Sequence, residues 1–149
     1  MIPFLEIKVD KFTFRVDPTC FFNSEGVWVR VAGNRARLGL SDFLQQRSGD
    51  IAFVEVKPEG SLVSFNGAFS TIETIKVNID LSSPVTGKVV LVNPALENTP
   101  EVINQDPFGE GWICEVELNE WEADQSRLLD ATAYFELMKR EAEDEVKNI

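Results

Sequence analysis

Few residues of this 149-residue chain could do chemistry, because the sequence contains no histidine. Histidine is the commonest general base and transition-metal ligand, so Ser/His/Asp and Cys/His nucleophile schemes cannot be built from this chain. Its carboxylates lack the alternating oxygen-ligand spacing of a calcium loop. Its two cysteines, Cys20 and Cys114, are far apart and match neither a metal-binding spacing nor a disulfide framework. We therefore expect no catalytic residue and no metal site, which argues against an independent enzyme.

The most informative segment surrounds Lys76, whose primary amine is a group that can be modified. From Ile75 to Leu81 apolar and polar residues alternate, which predicts a half-buried strand with Lys76 and Asp80 on one polar face. The parity of the apolar residues changes between Ile72 and Ile75, as expected for a break in strand direction or for a bulge. Because lysine is mostly exposed in proteins, periodicity alone predicts only an exposed lysine here.

The charge of the chain narrows the range of partners. With 25 acidic and 14 basic residues, the net charge is −11, which repels nucleic-acid phosphates and anionic lipid surfaces. We expect neither nucleic acid nor a membrane as a partner, and no stretch approaches the roughly 20 apolar residues of a membrane span. The acidity is explained by solubility alone or by attraction to basic docking surfaces. Two lone cysteines and a start without a secretory signal indicate a cytoplasmic protein.

The elements that position these residues are mostly strands, in a single domain of residues 1–149. Short apolar runs separated by turn signals have the spacing typical of sandwiches and small barrels. The predicted strands are Lys11–Val16, Val27–Val31, Ala36–Leu40, Ile51–Val56, Lys88–Val92 and Trp112–Leu118. Residues 1–22 form an N-terminal extension that contains the first of these strands.

Two helical features interrupt this β pattern. Ser41 is a good N-cap for a short inserted helix that Ser48 and Gly49 close. Residues 94–110 form a long polar loop with a helical turn around Leu96. Apolar residues at helical spacing then predict a C-terminal helix, roughly residues 123–147, that docks on the sheet.

The segment around Lys76 resembles the H protein of the glycine cleavage system. In that family an aromatic residue precedes Glu-Ser-Val-Lys, an Asp follows the lysine by four residues, and Ser-Pro-Val-Ser-Gly comes next. This chain has Phe69, Glu73-Thr74-Ile75-Lys76, Asp80 and Ser83-Pro84-Val85-Thr86-Gly87 in that order. Further matches occur in sequence at Trp28-Val29-Arg30, Leu38–Phe43, Gly49–Glu55, Val92-Asn93, Asn104–Trp112 and Leu129-Asp130-Ala131. The similarity covers about Phe22 to Met138.

The resemblance implies a lipoyl-domain barrel-sandwich hybrid and a non-catalytic carrier. Lys76 matches the family's lipoylated lysine at a tight turn between two strands, and lipoate is the implied covalent cofactor. Glu73 matches a position implicated in recognition by the lipoylating enzyme, which is a lipoate ligase or an octanoyl/lipoyl transferase. The implied partners are glycine decarboxylase, aminomethyltransferase and dihydrolipoyl dehydrogenase, between which the arm carries an aminomethyl group.

The cleft that shelters the arm in this family is where the match is weakest. Asp80 matches one of its carboxylate positions. The Ser-His-Glu-Trp motif that supplies a second carboxylate aligns with Glu25-Gly26-Val27-Trp28, so valine replaces the glutamate. Glu25 is a candidate substitute from a neighbouring position, although alternation aims it differently.

Two alternatives remain open at this point. H-protein-like lipoate-binding proteins also serve sulfur oxidation, where the arm holds sulfur-bonded intermediates for a heterodisulfide-reductase-like complex. That use needs no amine-binding carboxylate, which suits Val27. The second alternative is an unmodified interaction module that relies on the acidic surface and the C-terminal helix.

Overall fold

The computed structural model describes residues 3–147; Met1, Ile2, Asn148 and Ile149 of the predicted 1–149 domain lie outside the described residues. The β1–β2 hairpin stands beside a six-stranded sheet of order β3-β4-β5-β11-β10-β7 and a three-stranded sheet of order β6-β8-β9. The strands are β1 Leu5–Val9, β2 Phe12–Val16, β3 Phe21–Phe22, β4 Val27–Ala32, β5 Arg35–Leu40, β6 Ile51–Val56, β7 Leu62–Val63, β8 Ala68–Thr74, β9 Asn78–Ser82, β10 Gly87–Val92 and β11 Cys114–Leu118. The helices are α1 Asp42–Ser48, α2 Val102–Gln105, α3 Trp121–Gln125 and α4 Ala131–Lys147, with a 3₁₀ turn at Pro94–Leu96.

The main core lies between the two larger sheets, because alternation along each strand turns every second residue inward. Ile72 and Leu81 of the three-stranded sheet belong to the same buried cluster as Val29, Leu38 and Val116 of the six-stranded sheet. Each is at most 2% exposed. Since burial of one such side chain stabilises the fold by about 1.5–3 kcal/mol, this cluster anchors the β8–β9 hairpin firmly.

A second, aromatic core covers the opposite face of the six-stranded sheet. Trp28 points away from its buried neighbours Val27 and Val29 and joins this cluster with Phe22 and Tyr134. The rings of Phe22 and Tyr134 stack with their centroids 4.3 Å apart. This core attaches α4 to the sheet.

Helix α1 is formed as the sequence predicts. The Ser41 side chain accepts a hydrogen bond from the Leu44 N–H at 3.1 Å, and the Gly49 N–H donates to the Gln45 carbonyl at 3.1 Å. Gly49 has φ 86° and ψ −167°, a conformation essentially restricted to glycine. The helix therefore ends at one defined residue.

The N-terminal extension is more regular than predicted, because β2 pairs with a strand, β1, that was not among the predicted ones. The turn between them places Asp10 at φ 56°, which aspartate tolerates better than most residues. The Gln46 side-chain amide donates to the Thr13 carbonyl at 2.9 Å, and the Arg15 N–H donates to Asp42 at 2.9 Å. The hairpin is thus tied to α1.

The C-terminal helix begins at Ala131, later than the predicted residue 123. The short helix α3 precedes it, and Leu129 then exchanges two backbone hydrogen bonds with Phe22, of 2.8 and 2.9 Å. This extended bridge interrupts helical geometry. Asp130 restarts the helix, because its carboxylate accepts from the Ala133 N–H at 2.8 Å.

The long connection before β11 contains more structure than predicted. The helical turn expected around Leu96 is confirmed as the 3₁₀ turn, with the Asn93 side chain accepting from the Ala95 N–H at 3.0 Å. The four-residue helix α2 was not predicted.

Candidate functional site

Lys76 lies in the tight turn that joins β8 to β9. Strands β8 and β9 pair antiparallel up to Glu73 opposite Asn78, and the Thr74 N–H donates to the Val77 carbonyl at 2.9 Å. The expected break in strand direction is therefore a complete reversal of the chain. No residue of the turn has a positive φ among the described residues, which explains why no glycine marks it.

The Thr74 hydroxyl closes this turn in place of glycine. Its oxygen accepts hydrogen bonds from the backbone N–H groups of Lys76 and Val77 at 3.2 and 3.1 Å, and it lies 3.2 Å from the Val77 carbonyl, to which it can donate. A threonine hydroxyl that accepts hydrogen bonds from backbone N–H groups two and three residues ahead is a recognised way to stabilise a turn. The backbone of Lys76 is thereby held while its side chain is left outside.

The Lys76 side chain is exposed and extends toward the end of α1. Its Cε and Nζ lie 3.8 and 4.0 Å from where a Cβ would stand on Gly49. None of the ion pairs within residues 3–147 involves its ammonium group. Its neighbours Ile75 and Val77 are 90% and 45% exposed, so the tip of the hairpin is apolar around one cation.

Asn104 of α2 holds together the junction beneath Lys76. Its side-chain carbonyl accepts from the buried Ile51 N–H at 3.0 Å, and its amide donates to the Gly49 carbonyl at 2.9 Å and to the Gln45 side chain at 3.1 Å. Ile51 in turn pairs with Thr74 at the base of the turn. Sequence reasoning assigned Asn104 no role, although it begins one of the matching motifs.

Glu73 and Asp80 share the outer face of the three-stranded sheet. Glu73 is half-buried between its cross-strand neighbours Phe53 and Asn78. Asp80 is exposed on the edge strand β9, and its carboxylate accepts from the Thr71 hydroxyl at 2.7 Å. Both carboxylates therefore stand on the strands that meet at Lys76, on one face.

Glu25 stands in a different loop, the turn between β3 and β4, and is exposed. The side chain of Asn23 connects this turn to β9. Its Oδ1 accepts a hydrogen bond from the Glu25 N–H at 3.1 Å, and its Nδ2 donates one to the Ser82 backbone carbonyl at 3.0 Å. The turn that carries Glu25 thus contacts β9 two residues beyond Asp80. The structure brings the two elements together without any direct bond between the two carboxylates.

The departure from the family motif at Gly26 and Val27 has a physical basis. Gly26 has φ 98°, and a Cβ there would lie 2.9 Å from the Ser41 hydroxyl and 3.0 Å from that of Tyr134. These hydroxyls bond to each other at 2.8 Å, so they occupy the space that a side chain at Gly26 would need. Val27 is fully buried in the main core. Neither position can offer a polar group to an arm.

The two cysteines are buried and unsuited to chemistry. Burial raises the pKa of both thiols to about 12, and for Cys20 the nearby Asp17 carboxylate contributes further. A thiol with such a pKa is protonated at neutral pH and a poor nucleophile. Within residues 3–147 no cluster of three or more potential metal ligands is found, and none of the helices is both long and apolar enough to cross a bilayer.

Comparisons with known proteins agree with this geometry. The family model described as glycine cleavage H-protein matches residues 20–141. A glycine cleavage system H protein from Symbiobacterium thermophilum is 45% identical over 113 residues, which are 76% of this chain and 88% of the relative. One from Thermus thermophilus is 38% identical over 122 residues, 82% of this chain and 94% of the relative.

A solved structure shows the same fold. The crystal structure of a glycine cleavage system H protein from Mycobacterium marinum superposes with a TM-score of 0.70 at 26% identity, covering 80% of this chain and 95% of that one. The expected barrel-sandwich hybrid with a short inserted helix and a C-terminal helix is thereby confirmed. These relatives favour neither the sulfur-carrier alternative nor the unmodified module. This chain belongs to the glycine cleavage H-protein family, whose members are non-catalytic carriers with lipoate attached covalently to a lysine.

Proposed function

We propose that this protein carries lipoate on Lys76 as the mobile component of a glycine cleavage system. The observation that carries the proposal is the position of Lys76 at the exposed tip of a hairpin whose strands are anchored in the main core. Its ammonium group takes part in none of the ion pairs of the described residues. Acylation of this amine therefore disturbs no packing and breaks no ion pair.

The residues around Lys76 suit a lipoyl group. The side chain already runs past Gly49, with its Cε 3.8 Å from the Cβ position of that residue. When bound, lipoate supplies a five-membered disulfide ring on a flexible tether, and the ring's strained dihedral makes the disulfide easy to reduce. The chain's own task is to hold the attachment point rigidly while the tether moves, which Thr74 and Asn104 achieve through the turn and its base.

Glu73 is the proposed recognition residue for the lipoate ligase or octanoyl/lipoyl transferase that modifies Lys76. It lies three residues before Lys76 on β8, where the sheet fixes its direction. Together with the exposed Ile75 it presents a carboxylate and an apolar side chain directly before Lys76. An apolar contact and a charge-assisted hydrogen bond at fixed positions are the kind of pair that a modifying enzyme can read.

The proposed partners are glycine decarboxylase, aminomethyltransferase and dihydrolipoyl dehydrogenase, with an aminomethyl group as the cargo. The names of the relatives and the family match support this choice. The net charge of −11 favours fast association with basic docking surfaces. Tethering the cargo gives each partner a high local concentration of it without release into solution.

Asp80 and Glu25 are the proposed carboxylates that receive the loaded amine. Asp80 is the better placed, because it shares the face of Glu73 and its Thr71 hydrogen bond orients the carboxylate. Glu25 lies on a turn bonded to the end of the same strand through Asn23. We expect Asp80 to contribute more than Glu25.

The recognition step can be tested with purified apoprotein, lipoate ligase, lipoate and ATP. We expect Glu73→Gln to slow lipoylation of Lys76 about tenfold, because loss of one charge-assisted contact costs about 1.5 kcal/mol. Glu55→Gln is the matched control, since Glu55 is exposed on β6 and pairs with Thr71 on the same sheet. Equal rates for Glu73→Gln and the wild type would remove Glu73 from the recognition site.

The cargo can be tested separately with fully lipoylated protein. After incubation with glycine decarboxylase and glycine, intact-mass spectrometry should show an aminomethyl-sized gain, and Asp80→Asn should lose that adduct faster than the wild type. A lipoylated protein that gains no mass with any active decarboxylase would contradict the glycine cleavage assignment while leaving the carrier itself intact.

A further inference from the structure

The N-terminal hairpin and the last turns of α4 form an apolar pocket. Most of its lining residues lie outside the segment that matches the family model, residues 20–141. The pocket has a volume of about 130 Å³. Its apolar lining comes from Val9, Phe12 and Phe14 of the β1–β2 hairpin, Phe43 of α1, and Ala142 and Val146 of α4. Five of these six residues lie outside the family match of residues 20–141.

Polar side chains of α1 and α4 form the rim of this pocket. Arg47 pairs with Glu145 at 2.9 Å and with Glu141 at 3.5 Å, and Gln46 borders the opening. Phe12 is 44% exposed, so the pocket is open to solvent on the hairpin side. Its rim therefore combines polar side chains with the exposed ring of Phe12, and its buried residues Phe14, Phe43 and Ala142 are apolar.

We propose that this pocket is a resting site for the ring end of the lipoyl group carried by Lys76. The inference rests on the proposed function, since it needs the group on Lys76. It adds a binding site made by the N-terminal hairpin and the last turns of α4, separate from the carboxylates Asp80 and Glu25.

The Lys76 side chain approaches the end of α1, the helix that contributes Gln46 and Arg47 to the pocket. Its Nζ lies 4.0 Å from the Cβ position of Gly49, at the end of α1. Gly49 directly follows the last turn of α1, and at about 1.5 Å of rise per helical residue Gln46 lies roughly 5 Å back along the axis. Gln46 already borders the pocket. An extended acyl chain of eight carbons spans on the order of 10 Å, since its bonds are roughly 1.5 Å long.

The chemistry of the pocket also matches the ring. A space of this volume could hold about four waters at roughly 30 Å³ each, yet its floor offers them few hydrogen-bond partners. An apolar disulfide ring gains by leaving water, and sulfur makes favourable contacts with the edges of aromatic rings such as Phe12 and Phe43.

The test uses protein whose lipoylation on Lys76 is first verified by mass, so that failure of the proposed function shows at that step. The ring is then opened to the dithiol by a water-soluble phosphine, which becomes the phosphine oxide, and the near-ultraviolet absorbance of the ring is followed. We expect Phe12→Ala to be reduced at least about threefold faster than the wild type, because the ring then spends more time in solvent. Phe4→Ala is the matched control: Phe4 is 45% exposed and packs on Phe108 instead of lining the pocket.

A second measurement is independent of the lipoylation step. Unmodified protein titrated with lipoamide should show amide chemical-shift changes at Phe43 and Ala142, and Phe12→Ala should weaken them. Equal reduction rates for the wild type and both variants, or lipoamide shifts that spare Phe43 and Ala142, would overturn the inference.

Discussion

Replacement of Asn104 by alanine should weaken the base of the Lys76 hairpin and destabilise the protein. The asparagine makes three hydrogen bonds of 2.9–3.1 Å, to Ile51, Gly49 and Gln45. Ile51 is only 3% exposed, so its N–H loses its partner without access to water, at a cost of about 1–3 kcal/mol. Each of the other two bonds contributes about 0.5–1.5 kcal/mol. We expect a total loss of about 2–6 kcal/mol in the free energy of unfolding.

Urea denaturation and thermal scans measure this loss directly. For a chain of this size the melting temperature should fall by about 4–24 °C. Asn104→Asp keeps an acceptor for Ile51 but turns a carboxylate oxygen toward the Gly49 and Gln45 carbonyl oxygens, so it should also destabilise the protein. Gln105→Ala, at the exposed neighbouring residue, should change little. An Asn104→Ala protein within about 0.5 kcal/mol of the wild type would refute the role assigned to this side chain.

Three further predictions follow from the same structure. Gly49→Ala should lower the free energy of unfolding, measured in urea, by about 1–3 kcal/mol, because alanine is strained at the Gly49 φ of 86°. Gly33→Ala should cost less, because Gly33 has a φ of 66° and no neighbouring atom within 4 Å of an added Cβ. An unchanged urea midpoint for Gly49→Ala would contradict this backbone strain. Thr74→Val removes the hydroxyl that closes the turn, so the rates of amide hydrogen exchange at Lys76 and Val77 should rise severalfold, whereas Thr71→Val should leave them unchanged. Equal rates in the wild type and both variants would disprove the role of Thr74. Cys20 and Cys114 should resist iodoacetamide at pH 8 until urea is added, and rapid labelling of the folded protein would contradict their burial. The free energy of unfolding should fall as the pH rises from about 9 to 12, by up to about 1.4 kcal/mol per pH unit for each thiol. The reason is that the thiol pKa is 9.0 in the unfolded chain and about 12 in the folded protein.

Local signals in the sequence were sufficient for the parts of the fold that depend on neighbouring residues. Helix α1 between Ser41 and Gly49 could be predicted because capping and positive φ are decided within a few residues. The change of parity between Ile72 and Ile75 marked the reversal at Lys76. It could not distinguish a turn from a bulge, because the turn is closed by the Thr74 hydroxyl instead of glycine.

Contacts between distant segments could not be derived in this way. Asn104 lies 53 residues from Ile51, and nothing near either residue indicates their hydrogen bond. The start of α4 at Ala131 depends on the bridge from Leu129 to Phe22, which belongs to a strand more than a hundred residues earlier. The pocket of the two chain ends likewise exists only because β1–β2 and α4 meet on α1.

The most direct test of the central claim is the mass of the protein after expression with a lipoate ligase and lipoate. We predict a lipoyl-sized gain on the peptide that contains Lys76, absent from Lys76→Arg and retained by Lys88→Arg, whose lysine is exposed on strand β10 of the six-stranded sheet. A folded wild-type protein that gains no mass, or one modified at another lysine, would contradict the account.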